Sequence, residues 1–295
     1  MDIFSINEYE KLLYYYKVNN FKVINFRDLH KLYENGDNLP SKIVVLRHDI
    51  HLRDIPNAYK MIDLEEKFFK KNVGTYFVQW KFIGSTKYEE NYEMKGTNEY
   101  EKFIYYCIKN NIEVQPHISL FCDAYKKLYQ RSNKNISFLN IGCKLCINDI
   151  KKTIIKDSIN EQNYNICENS KICITCDDNK TENDLSTFKD SINSFLTNYI
   201  EEWKNRFKFT PSYYSCHGDG IELTKLFNPN IFSCIEQLEN TFISVNSINK
   251  YLGNTSNYKL YYKSDNSCNR KYIEKALYND INKYQLLIHP FVWSK

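Results

Sequence analysis

The chain has 295 residues, of which 42% are hydrophobic and 26% charged, with a formal net charge of +4, a globular composition that suits one large domain or two small ones and a length at which α/β barrels are common. The small charge and the lack of a long basic run leave no footprint for nucleic acid, and no stretch approaches the roughly 18 apolar residues of a membrane span. The opening MDIFSINEYEKLLYYYKVNN lacks the basic region and apolar run of a secretory signal, so a cytoplasmic location is expected and the ten cysteines are expected as thiols or metal ligands.

The most strand-like segment is Ile43 to Leu46, which runs into Arg47, His48, Asp49 and His51. Pro56 then suits a first helical turn, and Ala58, Met61, Ile62, Phe68 and Phe69 keep helical spacing up to Gly74. VGTYFVQW follows as a short strand. Asn98 to Asn110 carries Tyr100, Phe103, Ile104, Cys107 and Ile108 on one helical stripe and leads into the strand IEVQPHISLF. A helix is predicted over Ser186 to Phe207, with Phe188, Ile192, Phe195, Leu196, Tyr199, Ile200 and Trp203 on its apolar face and Ser186 or Thr187 as its cap. TPSYYSCHGDG reads as a strand ending at His217, and KYQLLIHPFVW as a buried strand ending at His289 and stopped by Pro290.

Strands alternating with helices predict βαβ units and a largely parallel sheet. In such folds the active site gathers at the carboxyl ends of the strands. Five of the six histidines, His48, His51, His117, His217 and His289, fall where four predicted strands stop; only His30, in a helical stretch, lies elsewhere. One such histidine is more often structural than functional. A converging set points to metal or hydrolytic chemistry, because imidazole is both the common neutral metal ligand and the usual acid or base near pH 7.

The motifs LRHDIH, GTYFV, IEVQPH, SCHGDG and LIHPFVW, in that order, resemble the polysaccharide deacetylase (NodB-homology) superfamily. The branch it is most similar to has a first motif reading Arg-His-Asp-Val-Asp and ends in His-Pro and a tryptophan. The resemblance spans about residues 8 to 125 and 186 to 293. It implies a distorted (β/α) barrel and a metal-dependent hydrolase removing acetyl groups from N-acetyl sugars. It also implies that Asp49 is the general base and His289 the general acid. The family's metal-ligating aspartate falls on His51 here. The family's second motif carries two histidines four apart; the first is His117, but the second position holds Phe121. With His51 and His117 carried over, His217 is the candidate third ligand of a divalent metal, with zinc favoured by an imidazole-rich set; Asp123 and His48 are weaker choices. Each site residue also has a plainer reading. Asp49 would cap the following helix or pair with Arg47 or Arg53, and His289 would fill the barrel floor. Trp293, Tyr76, Phe77 and Trp80 would be core or rim before they are platforms for a pyranose ring.

Two Cys-x-x-Cys pairs, Cys143 with Cys146 and Cys173 with Cys176, lie in a segment from about 130 to 185 that reads as an insertion within a single domain. Such pairs suit a structural zinc, although their 26-residue separation exceeds the usual ribbon spacing and Cys167 adds a fifth thiol. Unrelated thiols and a redox role are the alternatives. The expected function is removal of an acyl group from an N-acylated sugar or glycan precursor, with a catalytically inactive carbohydrate- or partner-binding protein as the alternative.

Overall fold

The computed structural model describes residues 4–80, 98–118, 196–216, 259–265 and 281–294, the helical backbone over 87–97, and short strands near 220, 226 and 243. In chain order the elements are α1 (Ile6–Val18), β1 (Lys22–Ile24), α2 (Phe26–Glu34), β2 (Ile43–Ile50), α3 (Ile55–Phe69), β3 (Thr75–Val78), α4 (Lys87–Lys109), β4 (Glu113–Ile118), β5 (Tyr213–Cys216), β6 (Gly220–Ile221), β7 (Leu226–Phe227), β8 (Ile243–Ser244), β9 (Tyr261–Ser264) and β10 (Lys283–Ile288). They fall into two compact units. The first comprises Met1–Trp80, Asn98–His117 and Ser247–Lys295, and the second Lys81–Thr97 and Ile118–Asn246.

The fold is α/β with a largely parallel sheet, compatible with a (β/α) barrel. In the first unit the strand order is β4-β3-β2-β10-β9, every neighbouring pair parallel, with β1 beside the first half of β2 and β3 beside its second half. All eight residues of β2 are buried, as a central parallel strand covered on both faces demands. The strand outruns its apolar start: Arg47, His48 and Asp49 are ladder residues, paired with Thr75, Tyr76 and Phe77 of β3.

One face of the sheet is apolar and carries the helices. Val44, Leu46, Tyr284, Leu286 and Ile288 pack with Tyr9, Leu12, Leu13 and Tyr16 of α1 and Met61 of α3. Burying each large apolar side chain there contributes about 1.5–3 kcal/mol. Helix α1 is set by a capping box, in which Ser5 Oγ accepts from the Glu8 amide and Glu8 accepts from the Ser5 amide at 2.7 Å. Helix α3 starts behind a 3₁₀ turn, Leu52–Asp54, carries Pro56 in its first turn, and ends at Lys70 in the left-handed conformation with φ of 62°. The opposite face bears Arg47, Asp49, Thr75, Glu113, Gln115 and Gln285, all buried. Since side chains alternate along a strand, a face this polar inside a sheet is arranged for something other than packing.

In the second unit, a helix covers 196–207 and buries Leu196, Trp203 and Phe207. Strand β5 pairs in parallel with β8, and β6 pairs antiparallel with β7. The start of the predicted 186–207 helix, the 130–185 segment with Cys143, Cys146, Cys167, Cys173 and Cys176, and residues Phe121, Asp123 and His217 lie outside the described residues.

Candidate active site

Arg47 and Asp49 are two residues apart on β2 and therefore share its polar face. The guanidinium grips the carboxylate with a two-pronged contact, Nε to Oδ1 at 2.8 Å and Nη2 to Oδ2 at 2.6 Å. Burial by itself would raise the carboxyl pKa, but the charges of Arg47 and, further off, His117 and His289 hold Asp49 well below the usual carboxylate range. Asp49 is therefore an anion at every ordinary pH. The expected alternative of an Arg47 partner is realised, while Arg53 stacks on the Phe291 ring at 3.7 Å.

His51 caps the 3₁₀ turn after β2. Its main-chain amide and its Nδ1 both meet Asp54 Oδ2, at 2.7 and 3.0 Å, and the other oxygen of this fully buried carboxylate accepts from the Phe291 amide at 2.6 Å. A carboxylate on Nδ1 fixes the tautomer and makes Nε2 the nitrogen that would act. The His51 ring lies edge-on to His117, with centroids 5.6 Å apart, and stacks on His289 at 6.0 Å with an interplanar angle of 6°. His117, the last polar-face residue of β4, brings Nδ1 to 3.7 Å from Asp49 Oδ2.

His289 follows β10. Its Nδ1 is 2.7 Å from Asp265 Oδ1, while Asp265 Oδ2 accepts from the His289 amide at 2.8 Å and from Trp293 Nε1 at 2.9 Å. Burial pushes the imidazole pKa down, but Asp265, helped by Asp49 and Asp54, holds it above the ordinary histidine value. Trp293 itself is core, stacked on Phe4 at 4.5 Å. Tyr76, Phe77 and Trp80 are buried as well, so none of these four rings is an exposed sugar platform.

His48 is the exception among the described strand-end histidines. As the neighbour of two polar-face residues it points to the helix side, where Nε2 meets Glu65 Oε1 at 2.8 Å and the ring stacks on Tyr76 at 4.5 Å. Glu65 also accepts from Tyr9, Tyr76, Asn72 and the Gly74 amide. His48 therefore belongs to a structural network, and its candidacy as a metal ligand is withdrawn.

Asp54 and Asp265 are site residues that the sequence reading passed over. Asp54 stands three residues after His51 and just before Pro56, a spacing that could have been read as a cap turned onto an imidazole. Asp265 follows a strand with no distinguishing pattern, and only the pairing of β9 with β10 brings it to His289.

An imidazole-rich set suits a divalent ion in part. With metal–nitrogen bonds of about 2.1 Å, two ligating rings would have centres roughly 5 Å apart, near the His51–His117 spacing, and the Asp54 contact on Nδ1 is the usual outer support of a ligating histidine. Among the described residues no group of three His, Cys, Asp or Glu side chains is placed to hold one ion, and His217, the expected third ligand, lies outside them. No family model matches the chain, and no curated protein or solved structure matches it either.

Proposed function

We propose that the chain is a metal-dependent amide hydrolase of the polysaccharide deacetylase type, acting in the cytoplasm on an N-acylated sugar or glycan precursor. The observation that supports it is the pairing of an obligate anion, Asp49, with a proton-holding imidazole, His289, at the ends of two adjacent strands, with His51 and His117 beside them. Opposite protonation preferences in neighbouring groups are what acid–base hydrolysis needs. Asp49 orients a water and accepts its proton as charge develops in the transition state; the Arg47 contact makes it a weak base, so positioning is the larger part of its role. His289, with Nδ1 held by Asp265, presents its second ring proton to the departing amine. His51 and His117 would be the residues to hold a divalent ion, which would supply Lewis acidity for the water and the acyl carbonyl.

Three variants test this together, read by metal content and by acetate released from N-acetylated sugars. Asp49→Asn should keep metal and lose turnover; His51→Ala should lose both; His289→Ala should keep metal and lose the acid limb of the pH–rate profile. Asp49→Asn turning over at the parent rate would end the mechanism. A second reading, a non-catalytic carbohydrate- or partner-binding protein, is favoured by the double contact that already occupies both oxygens of Asp49. It takes over if the parent binds glycans but releases no acetate from a broad panel. The Cys143/Cys146 and Cys173/Cys176 pairs are proposed to hold a structural zinc, and a Cys143→Ser, Cys146→Ser double variant should release one zinc equivalent per chain.

A further inference from the structure

Gln79 is the residue after β3. Its amide donates to the Ile50 carbonyl at 3.1 Å, closing the Ile50–Val78 pair that ends the β2–β3 ladder, and the Trp80 amide then turns back onto the Val78 carbonyl at 2.9 Å. Val78 is level with Ile50 on one side and with Pro116 on the other. The next residues on the three strands are His51, Gln79 and His117, and each lies two places beyond a polar-face residue, Asp49, Phe77 and Gln115. Alternation therefore sets Gln79 in one row with the two imidazoles, on the face that carries Asp49.

Its side chain is 1% exposed, and neither Oε1 nor Nε2 has a hydrogen-bond partner among the described residues. A buried carboxamide with both ends unmet is costly to folding and rare in native proteins. The cost is recovered if a ligand supplies one donor and one acceptor side by side. The N–H and C=O of a trans secondary amide point opposite ways and cannot meet both ends of one carboxamide. Two adjacent ring hydroxyls can, one donating to Oε1 and the other accepting from Nε2.

We infer that Gln79 is a specificity-determining residue that holds a pair of vicinal hydroxyls on the sugar ring of the substrate, beside the His51–His117 pair. This rests on the proposed sugar hydrolase function. An amide left unmet in the ligand-free protein and satisfied only by the correct sugar would reject analogues lacking either hydroxyl, because rejection then strands a buried polar group.

The test measures binding of N-acetylglucosamine and of its 3-deoxy analogue, which keeps the acetamido group but has no adjacent ring hydroxyls, by calorimetric titration, alongside thermal unfolding. The parent should bind the full sugar at least tenfold more tightly than the analogue. Gln79→Met should lose at least tenfold for the full sugar, bind the two alike, and show an unchanged or raised Tm, since an apolar isostere removes an unsatisfied group. Gln79→Leu should behave the same way. A Tm lowered by several degrees in both variants would show a structural role and overturn the inference, as would parent-like sugar discrimination in Gln79→Met. If the parent binds neither sugar, nor any other N-acetylated sugar, the sugar hydrolase reading fails and this inference goes with it; if the parent binds and Gln79→Met binds identically, only the inference fails.

Discussion

Asp265 governs His289 through a 2.7 Å contact, and the consequence is measurable by proton NMR. Asp265→Asn should lower the titration midpoint of His289 and cost about 2 kcal/mol of stability, because three hydrogen bonds lose a charged acceptor. The sign follows from linkage. A histidine held above its unfolded value adds stability that is fully present below about pH 6.5 and is lost as pH rises through the folded value. The penalty of Asp265→Asn should therefore be larger at pH 5.5 than at pH 9, and a pH-independent penalty would show that Asp265 acts through packing alone. Asp49 runs the other way. Its depressed carboxyl adds stability above the unfolded value of about 3.9 and loses it only as pH falls through a folded value well beneath that. Arg47→Leu leaves a buried carboxylate without its guanidinium, so it should destabilise by about 3–5 kcal/mol and move acid unfolding to higher pH. These roles were half visible in the sequence. Asp49, His51, His117 and His289 stand at strand ends with a recognisable spacing, whereas Asp265 acts on a residue 24 positions away that only folding brings near, and Asp54, three residues from His51, is fixed by an amide 237 positions on.

Strand β2 shows how one element serves both sides of a sheet. Its odd-numbered residues from Arg47 onward build the candidate site, and His48 between them ties the sheet to α1 and α3 through Glu65, Tyr9 and Tyr76. Gly74 makes that network possible by its size. A Cβ there would lie 2.8 Å from Glu65 Oε2 and 2.8 Å from His48 Cδ2, closer than real contacts allow. Gly74→Ala should therefore destabilise by about 1–3 kcal/mol, measured by denaturant unfolding; a neutral result would mean that Glu65 can retreat without losing its five donors. Glu65→Ala should cost more, about 3–5 kcal/mol, since it strands a buried imidazole and two buried phenols. Helix α3 was legible because it buries a regular stripe, and strands β3, β4, β5 and β10 from short runs rich in β-branched, aromatic and other apolar residues, nearly all of them buried. Apolar character in β2 breaks off at Leu46 while the hydrogen-bond ladder runs on to Ile50, so the end of the strand was marked by its histidines and not by hydrophobicity. Strand β9 carried no alternation to read: Tyr261 and Tyr262 are both exposed, and Lys263 is buried.

Stability of the whole molecule should carry the signature of Lys263. Level with Leu286, it sits on the apolar face with Nζ 3.6 Å above the Tyr284 ring and no hydrogen-bond partner among the described residues, and burial pushes its pKa down to about 8. A lysine depressed in the folded state opposes folding wherever the unfolded chain is protonated, and that opposition fades as the folded form sheds its proton. Stability contributed by this site should thus rise from about pH 8 towards about pH 10.4. Lys263→Met should raise Tm at pH 7 and flatten that slope, and a lower Tm would show that the cation–ring contact outweighs desolvation. At this scale the division of labour is clear. Composition and the alternation of strand and helix patterns determined an α/β chain with a parallel sheet, because hydrophobic period depends on local residue order alone. Strand ends also nominated four of the polar residues at the candidate site. Tertiary structure decided which face each residue takes, turning His48 away from its neighbours, and which distant groups meet, joining Asp54 to the Phe291 amide, Asp265 to His289 and Gln79 to the row with two imidazoles. Register and face arise from pairing between strands far apart in the chain, and no local pattern encodes that pairing.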